Sequence, residues 1–296
     1  MDDLNYFFDK FKAETAIPSI VLTTERKDNI AITDSKLGGN PYLPKDFKYP
    51  TTLKGENLKL LAQLNFAQLP KLENFPSEGI LQFYILPDDQ MGLSDYSEST
   101  NPNTYRVIYH EKILPDEMLM KDFSEIIVQD MLYDPWFPFE GEFLIKGTVE
   151  NCPINYETYE FEEAFARFCK DNNIESHFEA YLADFQETKR NMTESEFKEF
   201  HRKYREQRDL IDESIGFEEG HRISGYPYFL QGDLRHYEQF NLKKYNTLLL
   251  QIVSEQNEKN NYGIMWGDCG VANFFINLED LKARNFKDVL YTWDCY

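Results

Sequence analysis

The chain has 296 residues, 42% of them hydrophobic and 16% aromatic, which is enough to bury a sizeable core and excludes an intrinsically disordered chain. Lys and Arg number 31 against 52 Asp and Glu, so the formal net charge is −21. This charge repels nucleic-acid phosphates and anionic lipid surfaces, and we therefore expect no direct nucleic-acid partner and no membrane partner.

The N-terminal segment MDDLNYFFDKFKAET is acidic and amphipathic. It lacks the basic and apolar regions of a signal peptide, and no apolar run in the chain reaches the length of a membrane span. The cysteines are scattered, without a C-x-x-C pair. This pattern predicts reduced thiols in a cytoplasmic protein, with no metal site and no cofactor.

The first half of the chain is predicted to contain one helix and a series of strands. Apolar residues at helical spacing indicate an opening helix over residues 2 to 14. Residues 116 to 153 are ambiguous, with strand and turn content expected around IIVQDML, a WFPFEG loop and FLIKGTV. The clearer strand-like segments, bounded by Gly and Pro, are SIVLTTE, NIAITD, LKLLAQLNF, GILQFYIL and TYRVIYHE.

Residues 157 to 213 change character, with apolar residues three to four apart in FEEAFARFCKDN, HFEAYLADFQ and FKEFHRKYREQRDLI. This predicts a helical insert whose last helix starts at a capping box of Thr193 and Glu196. Strand-like segments then return in YNTLLLQIVSE and GIMWGDCGVANFFIN, separated by a QNEKNN turn, and a short helix and a strand close the sequence. We interpret the chain as one compact domain with an N-terminal half (1–153), an insert (154–215) and a C-terminal part (216–296).

Three blocks of the N-terminal half recur in the same order in the C-terminal part. This predicts an internal duplication, with the first copy at about residues 35–86 and the second at 216–296. The fold class is then α+β, with duplicated and largely antiparallel sheet units and a helical insert between the copies. The matched blocks are GGNPY at 38–42 with SGYPY at 224–228 (offset 186), LLAQL at 60–64 with LLLQI at 248–252 (offset 188), and GILQFYI at 79–85 with GVANFFI at 270–276 (offset 191).

Each copy places a primary amide in two otherwise apolar strands, at matched positions. Gln63 corresponds to Gln251, and Gln82 corresponds to Asn273. A buried amide has donors and an acceptor that need partners, at a cost of roughly 1–3 kcal/mol when they have none. Two interpretations stay open: the amides clamp loop backbone or one another, or they line a polar ligand site shared by the copies.

At these residues the chain resembles the YwqG-like family, bacterial proteins of unknown function. The resemblance covers about residues 38 to 290, and it implies an α+β fold with an internal duplication and extensive antiparallel sheet. Some members look like candidate immunity or accessory proteins near toxin systems. Ser224 stands where the family pattern more often has a second Gly. The motifs that carry the resemblance are GGNPYLP, LLAQLNFAQLP with EGILQFYI, HRISGYP, LLLQI, and WGDCGVANFFI followed by EDL.

No strong catalytic or nucleotide-binding motif is present: G-x-S-x-G, the P-loop, G-x-G-x-x-G and H-E-x-x-H are all missing. The two Pro-Tyr pairs, in GGNPY at 38–42 and SGYPY at 224–228, are each expected to lie in a turn. Polar residues around the second Pro-Tyr turn are the best remaining candidates. His221 could titrate near neutral pH with a carboxylate such as Asp233 beside it, and Asp268 lies between two glycines. Each of them could equally support a turn. Arg222 and Gln231 complete this candidate group.

The leading interpretation is a cytoplasmic binding or interaction protein, with a polar-ligand or peptide site between the two copies. The candidate ligand-binding residues are the four amides with Arg222 and Gln231. One alternative is a hydrolase of unrecognised type that uses His221 with Asp233 or Asp268. Another is an acidic immunity-type protein that binds a basic partner. The sequence identifies neither the partner protein or small polar ligand nor the oligomeric state.

Overall fold

A computed structural model gives the fold and describes residues 2–93, 95–126, 136–217, 219–257 and 262–296. The chain divides into two compact units, Met1–Ile17 with Asn151–Glu218 and Pro18–Glu150 with Glu219–Tyr296. The predicted IIVQDML segment beyond Ile126 and the last four residues of the predicted QNEKNN turn lie outside the described residues.

The first unit is helical, and phenylalanine rings form its interior. Phe7 and Phe11 on the opening helix are buried against Phe165 and Phe168, with ring centroids 5.0 to 6.1 Å apart. These rings recur every three to four residues, which places them on one face of each helix. The predicted opening helix is confirmed, and so are the helices predicted over FEEAFARFCKDN and FKEFHRKYREQRDLI. The helices are α1 Asp2–Thr15, α2 Phe161–Asp171, α3 Phe185–Asn191 and α4 Glu194–Ile215.

The predicted capping box at the start of α4 is confirmed. The Glu196 carboxylate accepts the backbone N–H of Thr193 at 2.8 Å, and the Thr193 hydroxyl accepts the N–H of Glu196. The prediction of a helix over HFEAYLADFQ is wrong for residues 178–184, which form turns. The Asp184 side chain accepts the N–H of Glu187, so a new helix starts after Asp184 instead of continuing from α2.

The second unit contains the strands. Within the described residues, ten strands form one sheet in the order β12-β11-β8-β7-β1-β6-β2-β3-β4-β5, and β9 and β10 form a separate pair. The bounds are β1 Ile17–Arg26, β2 Lys36–Gly38, β3 Lys59–Asn65, β4 Ile80–Ile85, β5 Tyr105–His110, β6 Glu142–Cys152, β7 His221–Ser224, β8 Thr247–Val253, β9 Glu255–Asn257, β10 Tyr262–Ile264, β11 Val271–Ile276 and β12 Val289–Asp294, with the short helix α5 Leu278–Lys282.

The strand order has two matching ends around a central pair. One end runs β2-β3-β4-β5 and the other runs β7-β8-β11-β12, with β1 and β6 between them. The registered pairs at both ends are antiparallel, as predicted. The side chains of β4 and β11 are buried on both faces. This explains why these strands have continuous apolar sequences instead of an alternating pattern.

Hydrogen bonds join the two outermost strands of the sheet, β5 and β12, to each other and to Ser99. The Tyr105 hydroxyl in β5 lies 2.6 Å from the carbonyl oxygen of Val289 in β12 and 2.9 Å from that of Ser99, and the two acceptors share its single hydrogen. The backbone N–H of Tyr291 in β12 donates to the same Ser99 carbonyl at 2.8 Å. The two edges of the sheet therefore lie close together in this unit.

The prediction of a strand over NIAITD is wrong. Asn29 has a left-handed backbone with φ 59°, and the backbone N–H of Asp34 donates to the carbonyl of Ala31, which makes a turn. The carbonyls of Ile32 and Asp34 accept hydrogen bonds from the side-chain amide of Gln63 in β3. The backbone is therefore satisfied without a strand partner.

Candidate functional site

Two predicted amides hold the first Pro-Tyr turn. Gln63 in β3 and Gln82 in β4 are register partners and fully buried. Gln63 Oε1 accepts the backbone N–H of Tyr42 at 2.7 Å, and Gln82 Nε2 donates to the Tyr42 carbonyl at 2.6 Å. Gln82 Nε2 also donates to Gln63 Oε1 at 2.8 Å, and Gln63 Nε2 donates to the carbonyls of Ile32 and Asp34, each at 2.9 Å. Side chains thus satisfy both backbone groups of Tyr42.

The second pair of amides repeats this arrangement at the second Pro-Tyr turn. Gln251 in β8 and Asn273 in β11 are register partners. Gln251 Oε1 accepts the backbone N–H of Tyr228 at 2.7 Å, and its Nε2 donates to the Gly220 carbonyl at 2.7 Å. Asn273 Nδ2 donates to the Tyr228 carbonyl at 3.0 Å, while its buried Oδ1 has no hydrogen-bond partner among the described residues. We refer to these two pairs as the amide clamps.

His221 is bonded to its own sheet and to a glutamate. Its Nδ1 accepts the backbone N–H of Val253 at 3.0 Å, so the ring proton is on Nε2, which donates to Glu255 Oε2 at 3.0 Å. Glu255 Oε2 also accepts the Thr24 hydroxyl at 2.9 Å. Among the described residues, neither predicted partner, Asp233 or Asp268, is hydrogen-bonded to His221.

Asp233 forms a buried ion pair with Arg235, a residue that the sequence analysis did not single out. The Asp233 carboxylate accepts Nε and Nη2 of Arg235 at 2.9 and 2.7 Å, and both side chains are almost inaccessible to solvent. Arg235 Nη1 also donates to the carbonyl of Tyr245 at 3.0 Å, and the guanidinium lies 4.2 Å from the centroid of the Phe275 ring. This bidentate geometry fixes the loop that follows the second Pro-Tyr turn.

The structure places Arg222 and Asp268 in different surroundings. Arg222 lies in β7, is 1% exposed, and has Val21 and Gln251 as register partners. Asp268 is exposed in a turn whose neighbours Gly267 and Cys269 have φ of 53° and 56°. Asp268 therefore occupies the tight turn that its flanking glycines suggested.

Gln231 lines a cleft between the loop that contains Tyr96 and the C-terminal part of the chain. The cleft consists of two depressions, of about 240 and about 470 Å³, that share Tyr96, Gln231, Phe240 and Asp294 in their walls. We refer to it as the Asp294 cleft. Both volumes are of the order of small-molecule sites. The walls also include Asp95, Tyr237 and Trp293.

Asp294 is the most unusual polar group of this cleft. It ends β12 and is 7% exposed. Its Oδ2 accepts the backbone N–H groups of Leu230 at 3.1 Å and Gln231 at 3.0 Å. Its buried Oδ1 has no hydrogen-bond partner among the described residues. Because an unsatisfied carboxylate oxygen is costly to bury and Asp294 lines both depressions, a donor that reached Oδ1 from the cleft would satisfy it.

The pKa values of two groups in the cleft reflect its low polarity. Burial raises the pKa of Asp294 to about 6, although the hydrogen bonds from the backbone of Gln231 and Leu230 act in the opposite direction. Burial also raises the pKa of the Tyr96 hydroxyl, and the nearby Asp294 carboxylate adds to this. Tyr96 therefore keeps its proton, which it donates to Gln231 Oε1 at 3.4 Å. Gln231 Nε2 in turn donates to the Cys295 carbonyl at 2.6 Å.

The described residues contain no group of three or more His, Cys, Asp or Glu side chains arranged to hold a metal ion. Over the same part of the chain, no helix combines the length and apolar character needed to cross a membrane.

The sequence analysis found Gln231 but missed Asp294, Tyr96, Tyr237 and Phe240. The available signal was an acid inside the apolar closing segment VLYTWD, where Leu290, Thr292 and Asp294 share one face of the strand. An acid on the same strand face as a core leucine needs a structural or binding role. Tyr96 and Tyr237 belong to irregular segments, which carry no periodic pattern.

Together, the sheet, the helical unit and the cleft define a mixed α/β protein whose candidate site is a polar, aromatic-lined cleft. The chain belongs to the family described as "Domain of unknown function (DUF1963)", whose model matches residues 35–295. No curated protein matches the chain.

Proposed function

We propose that the protein is a binding protein that accepts a small polar ligand, or a polar side chain of a peptide, in the Asp294 cleft. The observation that carries the proposal is the side chain of Asp294, which lines both depressions of a cleft of ligand-sized volume and whose buried Oδ1 has no hydrogen-bond partner among the described residues. The exposed amide of Gln231 and the hydroxyl of Tyr96 lie in the same walls and supply further hydrogen-bonding groups.

The residues around the cleft are suited to hold a site in place. Asp294 is in the sheet, and its Oδ2 fixes the backbone of Leu230 and Gln231. The same loop begins at Tyr228, which is held by the amide clamp of Gln251 and Asn273. In this proposal Gln251 and Asn273 are positioning residues. They order the loop that begins at Tyr228, so that ligand binding does not have to order it.

We also infer that the two ends of the sheet are copies of one unit, and that the chain is YwqG-like within its family. The matching strand orders at the two ends and the two amide clamps, each bonded to a Pro-Tyr turn, support the duplication. The motifs quoted above support the YwqG-like assignment. On this interpretation the cleft uses the loop after copy one, which contains Tyr96, and the end of copy two, which contains Asp294.

We further propose a cytoplasmic location, which the scattered cysteines support. The net charge of −21 argues against direct nucleic-acid binding. A hydrolase based on His221 requires that residue to meet Asp233 or Asp268. The bonds of His221 to Val253 and Glu255, and of Asp233 to Arg235, do not favour it. An acidic immunity-type protein would use the same surface charge against a basic partner.

The test is a ¹H–¹⁵N NMR titration of the full chain with a set of small polar fragments of all charge types. The chain contains three tryptophans, so the indole N–H of Trp293, assigned with a Trp293→Phe variant, reports on the cleft. We expect fragments to shift this signal, and Gln231→Ala to weaken their binding. Gln186→Ala, at an exposed position in α3, is the matched control. The proposal fails if no fragment moves the Trp293 signal.

A further inference from the structure

We propose that the Asp294 cleft selects an organic cation, an alkylammonium or guanidinium group, with Asp294 as its counter-ion and aromatic rings as its walls. This rests on the proposed function of the cleft and specifies the ligand class. The group could belong to a free amine or to a lysine or arginine side chain, since both present the same chemistry.

The charges in the cleft are of one sign. Its described walls contain the carboxylates of Asp95 and Asp294 and no Lys or Arg. The whole chain adds a net charge of −21, which attracts cations from solution and repels anions. An anionic ligand would therefore approach against the field of the protein and then meet two carboxylates.

The unpartnered oxygen of Asp294 accounts for the choice of a charged donor. Its Oδ2 already accepts two backbone N–H groups, at 3.1 and 3.0 Å, whereas the buried Oδ1 has no hydrogen-bond partner among the described residues. A neutral hydroxyl could satisfy Oδ1, but it would not compensate the charge of a carboxylate in a poorly solvated site. A hydrogen bond between charged groups does both, and it is stronger than a neutral one.

Four aromatic side chains also line the cleft. Tyr96, Tyr237 and Phe240 line the smaller depression, and Trp293 lines the larger one. The rings of Tyr237 and Phe240 pack edge to face, with centroids 6.2 Å apart. Aromatic faces attract cations, most strongly where water is excluded, and aromatic cages are typical of sites that bind quaternary ammonium groups. The aromatic walls and the acid thus favour the same class of ligand.

The experiment compares matched probes on the wild-type chain, read at the Trp293 indole signal. Nα-acetyl-lysinamide and Nα-acetyl-argininamide carry the cation on a peptide unit. Butylammonium carries it as a free amine, and Nα-acetyl-norleucinamide and butyrate are the neutral and anionic counterparts. We expect the cations to bind at least about tenfold more tightly than the neutral and anionic probes. Comparing butylammonium with lysinamide shows which source of the group is preferred.

Three variants locate the interaction. Asp294→Asn should weaken cation binding by about tenfold or more, while Asp46→Asn, which removes one exposed carboxylate that does not line the cleft, should leave it within about twofold. Tyr237→Leu should weaken cation binding by about threefold to tenfold and spare the fold, since Tyr237 is 47% exposed. Added salt should weaken cation binding.

The outcomes separate this inference from the proposed function. If norleucinamide or butyrate binds as tightly as lysinamide, the cleft is a binding site but not a cation site, and this inference is overturned. If no probe and no fragment shifts the Trp293 signal, both proposals fail. Because the probe comparison uses the wild-type chain, it decides the question even if Asp294→Asn does not fold.

Discussion

The backbone N–H of Tyr228 donates to Gln251 Oε1 at 2.7 Å, and this bond repeats, at the same length, the bond from Tyr42 to Gln63. In both cases the amide comes from a buried strand and the tyrosine follows a proline in a turn. A turn that enters the interior brings backbone groups that need partners away from water. The amides supply those partners, which explains polar residues in otherwise apolar strands.

Replacing a clamp amide by an apolar residue of similar size should destabilise the second unit. Gln251→Leu removes the side-chain partner of the buried Tyr228 N–H and of the partly buried Gly220 carbonyl. We expect the free energy of unfolding to fall by about 2–4 kcal/mol, because each unsatisfied buried group costs about 1–3 kcal/mol. Gln63→Leu should have an effect at least as large, since Gln63 serves three backbone groups.

Urea denaturation measures both changes. Gln239→Leu, at an exposed position of the same unit, is the control and should change the free energy by less than about 0.5 kcal/mol. Equal, small effects at all three positions would show that the clamps are not needed for folding.

Asp294 should make the protein less stable as the pH rises from about 4 to about 6. Its folded-state pKa of about 6 lies above the ordinary value of 3.8. In this range the folded protein therefore binds more protons than the unfolded chain, and the free energy of unfolding decreases with pH. At neutral pH the accumulated loss is about 3 kcal/mol, at about 1.4 kcal/mol per pH unit.

An Asp294→Asn variant isolates this effect, because the other titratable groups of the cleft, which include Asp95, Tyr96, Tyr237 and Cys295, are the same in both proteins. The variant should be up to about 3 kcal/mol more stable than the wild type at neutral pH, and nearly equal to it below about pH 4. Thermal unfolding followed across this pH range gives the difference. A constant difference at all pH values would contradict the assignment.

Removing one partner of the buried pair of Asp233 and Arg235 should destabilise the protein far more than removing one partner of an exposed pair. Asp233→Ala leaves the Arg235 guanidinium, 2% exposed, without its carboxylate, and we expect a loss of about 3–5 kcal/mol in the free energy of unfolding. The exposed pair of Glu25 and Lys146 provides the control. Glu25→Ala should cost less than about 1 kcal/mol in the same denaturation assay. Similar losses for both variants would mean that burial of the pair contributes little.

Exchanging Gly and Ser at the positions three residues before the two Pro-Tyr pairs should change the free energy of unfolding in opposite directions. Gly38 has φ 63° and Ser224 has φ 61°, a left-handed conformation that disfavours side chains. Ser224→Gly should raise the free energy of unfolding by about 0.5–1 kcal/mol, as strain is relieved. Gly38→Ser should lower it by more than about 2 kcal/mol, because the new Cβ would lie 2.5 Å from the Gly141 carbonyl oxygen.

Denaturation of the two single variants checks the signs. A loss of stability in Ser224→Gly would show that the Ser224 side chain contributes more than its backbone strain costs.

Local patterns in the sequence predicted much of the fold. The capping box at Thr193 and the phenylalanine spacing of α1 are complete within a few residues, so both could be recognised without tertiary information. The NIAITD segment has strand-like composition, but Asn29 and the amide of Gln63 turn it away from the sheet. That competition comes from a strand about thirty residues later in the chain, beyond the reach of a local pattern.

The candidate site was harder to predict, for the same reason. Gln231 was singled out because it lies three residues after the second Pro-Tyr pair, in SGYPY. Asp294 depends on backbone N–H groups about sixty residues earlier, and Tyr96 belongs to the opposite half of the chain. His221 was expected beside a nearby aspartate, but the sheet brings Glu255 to it. Which acid meets which partner depends on strand order, and composition and spacing do not determine that order.

The bonds from Tyr105 and Tyr291 to Ser99 have a consequence for the behaviour of the protein at high concentration. Exposed sheet edges offer unpaired backbone groups to other chains and can start aggregation. Here the Tyr291 N–H and the Val289 carbonyl of β12 are already bonded, to Ser99 and to Tyr105 of β5, so these backbone groups are not available to another chain. Tyr105→Phe would remove the bond to Val289 and so weaken this protection against intermolecular sheet growth.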